Sequence, residues 1–316
     1  MIYDNIRHII YGEEETRIRA TWRILLGLIL VLFLPQLLVP LIAFATVGDP
    51  MGQHLLMSIF MFFMTAMALI FLVGFARFID RRPVREYGLN LSRSWWLDGL
   101  AGFITPLVVF TVYVGLSLFF GWISVESITD ESFVVLAGWG VLFFLVYILG
   151  GAIAEGIAYT GIVGQNLAEG ARAHGGSAQV AVATAVIGGG LLFSILHFFV
   201  YGDPGAFGEL PLSGPVFIWF AVGSVMVLSY FWTGNAAFAI GVNAGANMGG
   251  WLFHPGDGLP GIPHVIMIEH NPPAPFDAVG GTLAVSWVIG LAILAAWVYY
   301  RKDSITHDTG EIPQSL

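Results

Sequence analysis

Polar side chains that can do chemistry stand inside three long apolar stretches of this chain. Glu155 lies within GGAIAEGIAYT, His197 ends the run LLFSILH, and Asn243 and Asn247 lie one helical turn apart in IGVNAGANMGG. Ionisable groups inside a membrane are costly unless they are paired or hydrated, so by default they mark a functional site. We therefore interpret this carboxylate, imidazole and pair of carboxamides as the lining of one buried polar chamber.

The elements that must position these residues are membrane-spanning helices. Of the 316 residues, 57% are hydrophobic and 10% are charged, whereas charged residues make up about 25% of a typical soluble domain. The mean hydropathy of +0.82 also indicates membrane-spanning segments. The chain has no cysteine, which excludes disulfides, thiolate metal sites and a cysteine nucleophile. Its net charge of −9 argues against a nucleic-acid partner.

Eight apolar stretches have about the 20 residues that a helix needs to cross the hydrocarbon core. They predict an all-α, polytopic membrane protein with eight transmembrane helices, folded as a single integral membrane domain over residues 1–316. The core occupies about residues 22–300, between cytoplasmic tails at 1–21 and 301–316. The predicted spans are 22–46, 53–76, 97–121, 134–164, 178–201, 212–232, 235–253 and 279–300.

The charges of the connecting segments predict the orientation of these spans. With eight spans, all 12 Lys and Arg residues fall on the side that carries both termini, and the opposite segments carry acids but no Lys or Arg. Because positively charged loops stay in the cytoplasm, we expect a multi-pass protein of the cell membrane with both termini in the cytoplasm. The basic residues are Arg7, Arg17, Arg19, Arg23, Arg77, Arg81, Arg82, Arg85, Arg93, Arg172, Arg301 and Lys302.

Glycines and asparagines occupy opposite faces of the seventh predicted span. Gly241, Gly245 and Gly249 repeat every four residues, a pattern that lets helices approach closely. Asn243 and Asn247 are offset from them by two positions, about 200° around a helix with 3.6 residues per turn. We expect the glycine face to pack on a neighbouring helix and the asparagine face to line the chamber.

Two segments between the spans carry further signals. Residues 77–96 could form a short interfacial element at the membrane surface. Residues 254–278 contain six prolines, and Pro and Gly at this density are expected to prevent regular structure. His254, His264 and His270 in this segment leave open a metal site or, more simply, a solvated loop.

The order of the chamber residues along the chain resembles the CPBP family of intramembrane proteases, which includes the Abi and CAAX-processing proteins. The motifs of that family are E-E-x-x-x-R-G, F-x-x-x-H and H-x-x-x-N. The corresponding segments here are Glu155-Gly156-x-x-x-Thr160-Gly161, Phe193-x-x-x-His197 and Asn243-x-x-x-Asn247.

The first motif is degenerate here, and the third has Asn in place of His. Gly156 replaces the second Glu of the family, Thr160 replaces the Arg, and Asn243 replaces the His. Positions 156 and 160 are neighbours on one face of a helix, one turn apart, so the Glu and Arg of the family motif can pair there. Removing both members of a buried ion pair costs far less than removing one. The joint absence looks like the deletion of a pair, which leaves Glu155 without a nearby cation.

The resemblance implies an intramembrane endopeptidase that hydrolyses peptide bonds of membrane-associated peptides or proteins. It implies that Glu155 is the general base, that His197 orients and activates the water, and that Asn243 and Asn247 are oxyanion donors. No cofactor is expected. If zinc is used, its ligands are Glu155 and His197, although a catalytic zinc typically takes three protein ligands. Counted at about 1.5 Å per residue, the depths of Glu155 and His197 differ by roughly 10 Å.

Two other classes of function stay open. One is a catalytically inactive protease-fold scaffold or immunity-type membrane protein, since three motif residues are replaced. The other is a transporter or channel, which is disfavoured because the sequence shows no internal repeat. In each case the lipid bilayer is a partner.

Overall fold

The structure is a computed structural model of the chain. It describes residues 17–37, 50–128, 146, 148–201, 213–255, 266–271 and 282–305. The described part is mostly helical, as the composition predicts. In chain order, its helices are α1 (Ala20–Leu28, continued by Ile29–Phe33 and Leu34–Gln36), α2 (Pro50–Gly74, continued by Phe75–Asp80), α3 (Arg93–Phe119), α4 (Leu149–Ile157, continued by Ala158–Gly164 and Gln165–Ala173), α5 (Ala178–Tyr201), α6 (Ser213–Thr233), α7 (Ala237–Leu252) and α8 (Thr282–Ile305).

Four helices of the described part are long and apolar enough to cross a membrane. They are Ile59–Asp80, Arg93–Phe119, Ala178–Phe199 and Val216–Thr233, and two shorter apolar helices are Ala20–Gln36 and Val285–Arg301. The eight predicted spans correspond in order to α1–α8, but eight crossings stay a prediction. The predicted spans 22–46 and 134–164 lie partly outside the described residues.

Helix α7 packs against α3 through its glycine face, as predicted from the four-residue repeat. A Cβ atom at Gly241 would lie 2.1 Å from the carbonyl oxygen of Gly99, and one at Gly245 would lie 2.3 Å from that of Phe103. At Gly249 it would meet the ring of Phe110 at 2.3 Å. These distances leave no room for a methyl group, so the glycines set the separation of the two helices.

Buried ion pairs join α1, α2 and α4 at one end of the bundle. The Asp80 carboxylate is fully buried and lies 2.9 Å from Nη1 of Arg23 and 3.2 Å from Nε of Arg82. Glu169 lies 3.0 Å and 2.5 Å from the same two guanidinium groups. The Tyr87 hydroxyl donates to Asp80 at 2.5 Å. Burial, reinforced by the Asp80 charge, raises the pKa of Tyr87, so this tyrosine remains a hydrogen-bond donor.

A second buried carboxylate, Asp98, fastens α3 to α7 and α8 at the same end. It forms an ion pair with Arg301 and accepts hydrogen bonds from Trp297 Nε1 at 2.9 Å and Asn235 Nδ2 at 2.7 Å. The Oδ1 atom of Asn235 accepts from the backbone N–H of Ala237 at 2.9 Å, where α7 begins. The first turn of α7 is therefore tied to both neighbouring helices.

The basic residues of the described part lie at this end of the bundle, in or near the helix ends that Asp80 and Asp98 connect. This agrees with the grouping predicted from the sequence, while the cytoplasmic orientation stays a prediction. The residues concerned are Arg17, Arg19, Arg23, Arg77, Arg81, Arg82, Arg85, Arg93, Arg172, Arg301 and Lys302.

A small sheet lies at the opposite end, where no strand was predicted. Its strands are β1 (Ile123–Ile128), β2 (Phe253–Pro255) and β3 (Ile266–His270), in the order β1-β3-β2. Strand β3 pairs antiparallel with β1 and parallel with β2. The expectation of no regular structure over residues 254–278 was therefore wrong for β2 and β3. Strand β3 is stabilised by pairing with β1, which is distant in the sequence, and local composition does not reveal such pairing.

Candidate active site

Helices α4 and α7 bring Glu155 and Asn243 into direct contact. The Nδ2 atom of Asn243 donates to Oε2 of Glu155 at 2.7 Å. One turn further along α7, Nδ2 of Asn247 donates to Oδ1 of Asn243 at 2.8 Å. The two carboxamides thus form a chain of hydrogen bonds that ends on the carboxylate and fixes the direction in which its oxygens point.

His197 reaches the same carboxylate from α5. Its Nε2 atom lies 3.9 Å from Oε2 of Glu155, so the four predicted chamber residues lie together. The depth difference of roughly 10 Å expected from counting residues along each span therefore does not keep the two side chains apart. The relative placement of two helices is a tertiary feature that apolar periodicity does not encode.

The hydrogen bond on the other ring nitrogen fixes the role of Nε2. Nδ1 of His197 lies 2.9 Å from the carbonyl oxygen of Phe193, and a carbonyl can only accept, so Nδ1 carries a proton. In the neutral imidazole Nε2 is then an acceptor. The 3.9 Å to Glu155 is too long for a direct hydrogen bond, but two bonds of about 2.8 Å meeting at roughly a right angle span it. One water molecule that donates to both groups fits this geometry.

Aromatic rings hold the imidazole in place. The ring of Phe193 stacks on His197 at a centroid distance of 4.0 Å and 25° between planes. On α6, Trp219 lies 5.5 Å from the imidazole centroid. Tyr159 on α4 packs edge-on against Phe193 at 4.7 Å. Three helices therefore fix the position of the imidazole.

The chamber residues differ in exposure. The side chain of Glu155 is 27% exposed and that of His197 is 13% exposed. Asn243 is buried at 3%, whereas Asn247, one turn further, is exposed. The Glu155 carboxylate therefore accepts a hydrogen bond from a buried amide and is itself partly accessible.

The positions of the two missing motif residues are filled by close helix packing. A Cβ atom at Gly156 would lie 2.6 Å from Cγ1 of Ile240 on α7 and 3.1 Å from its Cα. Thr160 is fully buried, and its hydroxyl donates to the carbonyl oxygen of Gly156 at 2.7 Å. A Glu at position 156 does not fit this close packing, which we call the closure of α4 onto α7.

The residues present fit a metal ion poorly. Glu155 and His197 supply two strong ligands, one fewer than the three protein ligands that catalytic zinc typically takes. The described residues contain no group of three His, Asp or Glu side chains that could hold a metal. Of the three histidines between residues 254 and 278 that left a metal site open, His264 lies outside the described residues.

Sequence reasoning did not identify Trp219 or Met226, both on α6. The Sδ atom of Met226 lies 4.0 Å from Nδ2 of Asn243, and Trp219 flanks the imidazole. Met226 carries no signal in an apolar span. The signal for Trp219 is its position inside a predicted span, since tryptophans otherwise mark the ends of spans.

Comparison with protein families identifies a related family over part of the chain. The family described as type II CAAX prenyl endopeptidase Rce1-like matches residues 137–249, a little over a third of the chain, including all four chamber residues. The match confirms, over this segment, the resemblance to CPBP intramembrane proteases that the motifs indicate. The family is one of proteases, and together with the apolar helices it supports a membrane-embedded protease. No curated protein and no solved structure matches the chain.

Proposed function

We propose that the protein is an intramembrane endopeptidase that hydrolyses peptide bonds of membrane-associated substrates. The observation that carries this proposal is the 3.9 Å gap between Oε2 of Glu155 and Nε2 of His197. With the imidazole neutral, Nε2 and the carboxylate oxygen are both acceptors, and a water molecule can donate one O–H to each at this spacing. The proposed reaction uses no metal ion.

In this mechanism Glu155 is the general base. As the water oxygen attacks the substrate carbonyl, one of its protons passes to the Glu155 carboxylate, while His197 Nε2 accepts a hydrogen bond from the other O–H. The tetrahedral intermediate carries the negative charge on the former carbonyl oxygen. Glu155 then returns the proton to the leaving nitrogen, the C–N bond breaks, and a carboxylic acid and an amine result. A base of this kind contributes about 10²–10⁴-fold to the rate.

The two asparagines have separate roles in this proposal. Asn243 directs one N–H to Glu155, so it orients the base, whereas the family residue it replaces is a histidine. Asn247 is exposed and each carboxamide has a second N–H, which makes Asn247 the better donor to the oxyanion. One such donor is worth roughly 3–4 kcal/mol in the transition state.

The substrate approaches from within or beside the bilayer. Glu155 is partly exposed and Asn247 is exposed, which supports the approach of an extended peptide to these two side chains. We infer that the chain crosses the membrane eight times with both termini in the cytoplasm, because this arrangement places every basic residue on one side.

The test is proteolysis by purified full-length protein in liposomes on a library of membrane peptides. Glu155→Gln keeps the shape and hydrogen bonding of the side chain but cannot take a proton. Its activity should fall at least ~100-fold with an unchanged melting temperature. The matched control is Glu126→Gln, since Glu126 is an exposed carboxylate on β1. Cleavage by Glu155→Gln at the wild-type rate contradicts the mechanism.

A second candidate function is a catalytically inactive scaffold. The observation that favours it is the closure of α4 onto α7 at Gly156 and Ile240, which removes the space of a family motif residue. In the same assay, a wild-type protein that is folded but cleaves no membrane peptide favours the scaffold. Cleavage that depends on Glu155 excludes it.

A further inference from the structure

The segment that links α2 to α3 is held rigidly on its inner side. The carbonyl oxygen of Gly88 accepts from Nε1 of Trp95 at 2.8 Å and from the backbone N–H of Ala236 at 3.2 Å. The carbonyl oxygen of Glu86 accepts from the hydroxyl of Tyr230 at 2.6 Å. These bonds fix the backbone of the segment against α6 and the start of α7. The segment is therefore not a loosely attached interfacial helix, and it presents a defined outer face.

That outer face combines positive charge with large apolar side chains. This face carries several exposed arginines and one exposed acid, Glu86, whereas the chain as a whole has a net charge of −9. Phe78, Leu91 and Trp96 are 71%, 60% and 62% exposed. We call this set the linker face; its members are Arg77, Phe78, Arg81, Arg85, Leu91, Arg93 and Trp96.

Leu91 is strained as well as exposed. Its φ of 48° lies in the left-handed region, which is unusual for a residue other than Gly or Asn. A strained backbone with an exposed apolar side chain persists only where the surroundings hold it, and such positions mark functional surfaces. Insertion into an apolar phase removes the exposed Leu91 side chain from water, and the fixed backbone holds the side chain in position for this insertion.

The position of the linker face decides which apolar phase it meets. It extends from the last turns of the apolar span Ile59–Asp80 to the first turn of the apolar span Arg93–Phe119, where these spans end and begin. We propose that the linker face binds anionic phospholipids of the adjoining leaflet. The guanidinium groups contact lipid phosphates, while Phe78, Leu91 and Trp96 enter the boundary between headgroups and acyl chains. This site is separate from the chamber, and it does not depend on the proposed protease activity.

The experiment measures thermal unfolding of the full-length protein in detergent with added lipid. Phosphatidylglycerol should raise the melting temperature of the wild type, whereas phosphatidylcholine at the same concentration should have little effect. In Arg77→Gln/Arg85→Gln/Arg93→Gln, the phosphatidylglycerol concentration for half-maximal stabilisation should rise about fivefold per charge removed. Arg172→Gln is the matched control, since Arg172 is exposed in the last turn of α4, and it should respond as the wild type does.

Further arms separate this lipid site from simpler explanations. Leu91→Asn introduces a residue that tolerates the left-handed region and removes the apolar side chain. It should weaken the response to phosphatidylglycerol at least twofold without changing any charge. Glycerol phosphate, which has the anionic headgroup and no acyl chains, should not stabilise the wild type. If the triple variant does not fold, Arg85→Gln alone should show the fivefold change.

Some results would overturn the proposal. Equal stabilisation of the wild type by phosphatidylglycerol and phosphatidylcholine would show that the lipid charge is not recognised. A shift below twofold in the triple variant, or in Arg85→Gln where that variant replaces it, would show that these arginines do not bind the lipid. A shift in Arg172→Gln as large as that in Arg85→Gln would mean that the effect is net charge and not the linker face.

Discussion

The Nδ2 atom of Asn243 on α7 lies 2.7 Å from Oε2 of Glu155 on α4, so the residue that replaces a motif histidine is the hydrogen-bond donor to the carboxylate. A histidine ring can donate to the same oxygen through one of its nitrogens, and Asn keeps that donor without a titrating group. This relationship explains how the site retains its carboxylate geometry after losing the histidine.

Asn243→Asp tests whether this donor is needed. The substitution keeps the size of the side chain but places a second carboxylate 2.7 Å from Glu155, where two negative charges disfavour each other. Peptide cleavage at neutral pH should fall about 100-fold, the low end of a general-base contribution, because repulsion between the two carboxylates displaces Glu155. Asn243→His, which restores the family residue and the donor, should preserve or raise activity. Equal cleavage by the Asp variant and the wild type would show that Asn243 does not act on Glu155.

His197→Ala removes the second acceptor for the water. We expect at least a ~100-fold loss of cleavage, as for a general-base contact, with a small effect on the melting temperature. Trp219→Leu keeps the imidazole but removes the ring that lies 5.5 Å from it. Its cleavage rate should fall less than that of His197→Ala, since Phe193 still stacks on the imidazole. An equal loss in both variants would mean that Trp219 itself contacts the substrate.

Gly156→Ala tests the closure of α4 onto α7. The added Cβ meets Ile240 at 2.6 Å, and overpacking of this kind costs about 1–3 kcal/mol. The control is Gly151→Ala on the same helix, where the nearest atom is 3.6 Å away on Met61. That change should be neutral or stabilising by up to ~1 kcal/mol, because Ala favours helix over Gly. Thermal unfolding in detergent measures both, and equal effects would exclude close packing at position 156.

Topology can be tested with reporter fusions. Fusions after residues 50, 128, 206 and 265 should all report the side opposite the cytoplasm, because these positions fall in segments without Lys or Arg. Fusions after residues 90 and 175 serve as controls and should report the cytoplasm. A cytoplasmic signal from any of the first four positions would refute eight crossings.

The sequence by itself determined which polar residues come together and which face of α7 packs. Glu155, His197, Asn243 and Asn247 stand out because a polar side chain in an apolar span is costly wherever the span lies. The contact of Gly241 and Gly245 with α3 follows from the four-residue repeat, which is a local property of one helix. The grouping of basic residues at one end is likewise visible in the order of charges along the chain.

Only the tertiary structure decided how these residues meet. Glu155 and His197 meet although residue counting places them at different depths, because the relative placement of α4 and α5 depends on the packing of whole helices. The close approach of Ile240 to Gly156 also depends on tertiary packing, since the sequence around either residue does not specify the distance between α7 and α4. Strand β3 forms because β1, more than a hundred residues earlier in the chain, supplies its hydrogen-bond partners. Such distances and pairings arise between segments, and a local pattern carries no information about them.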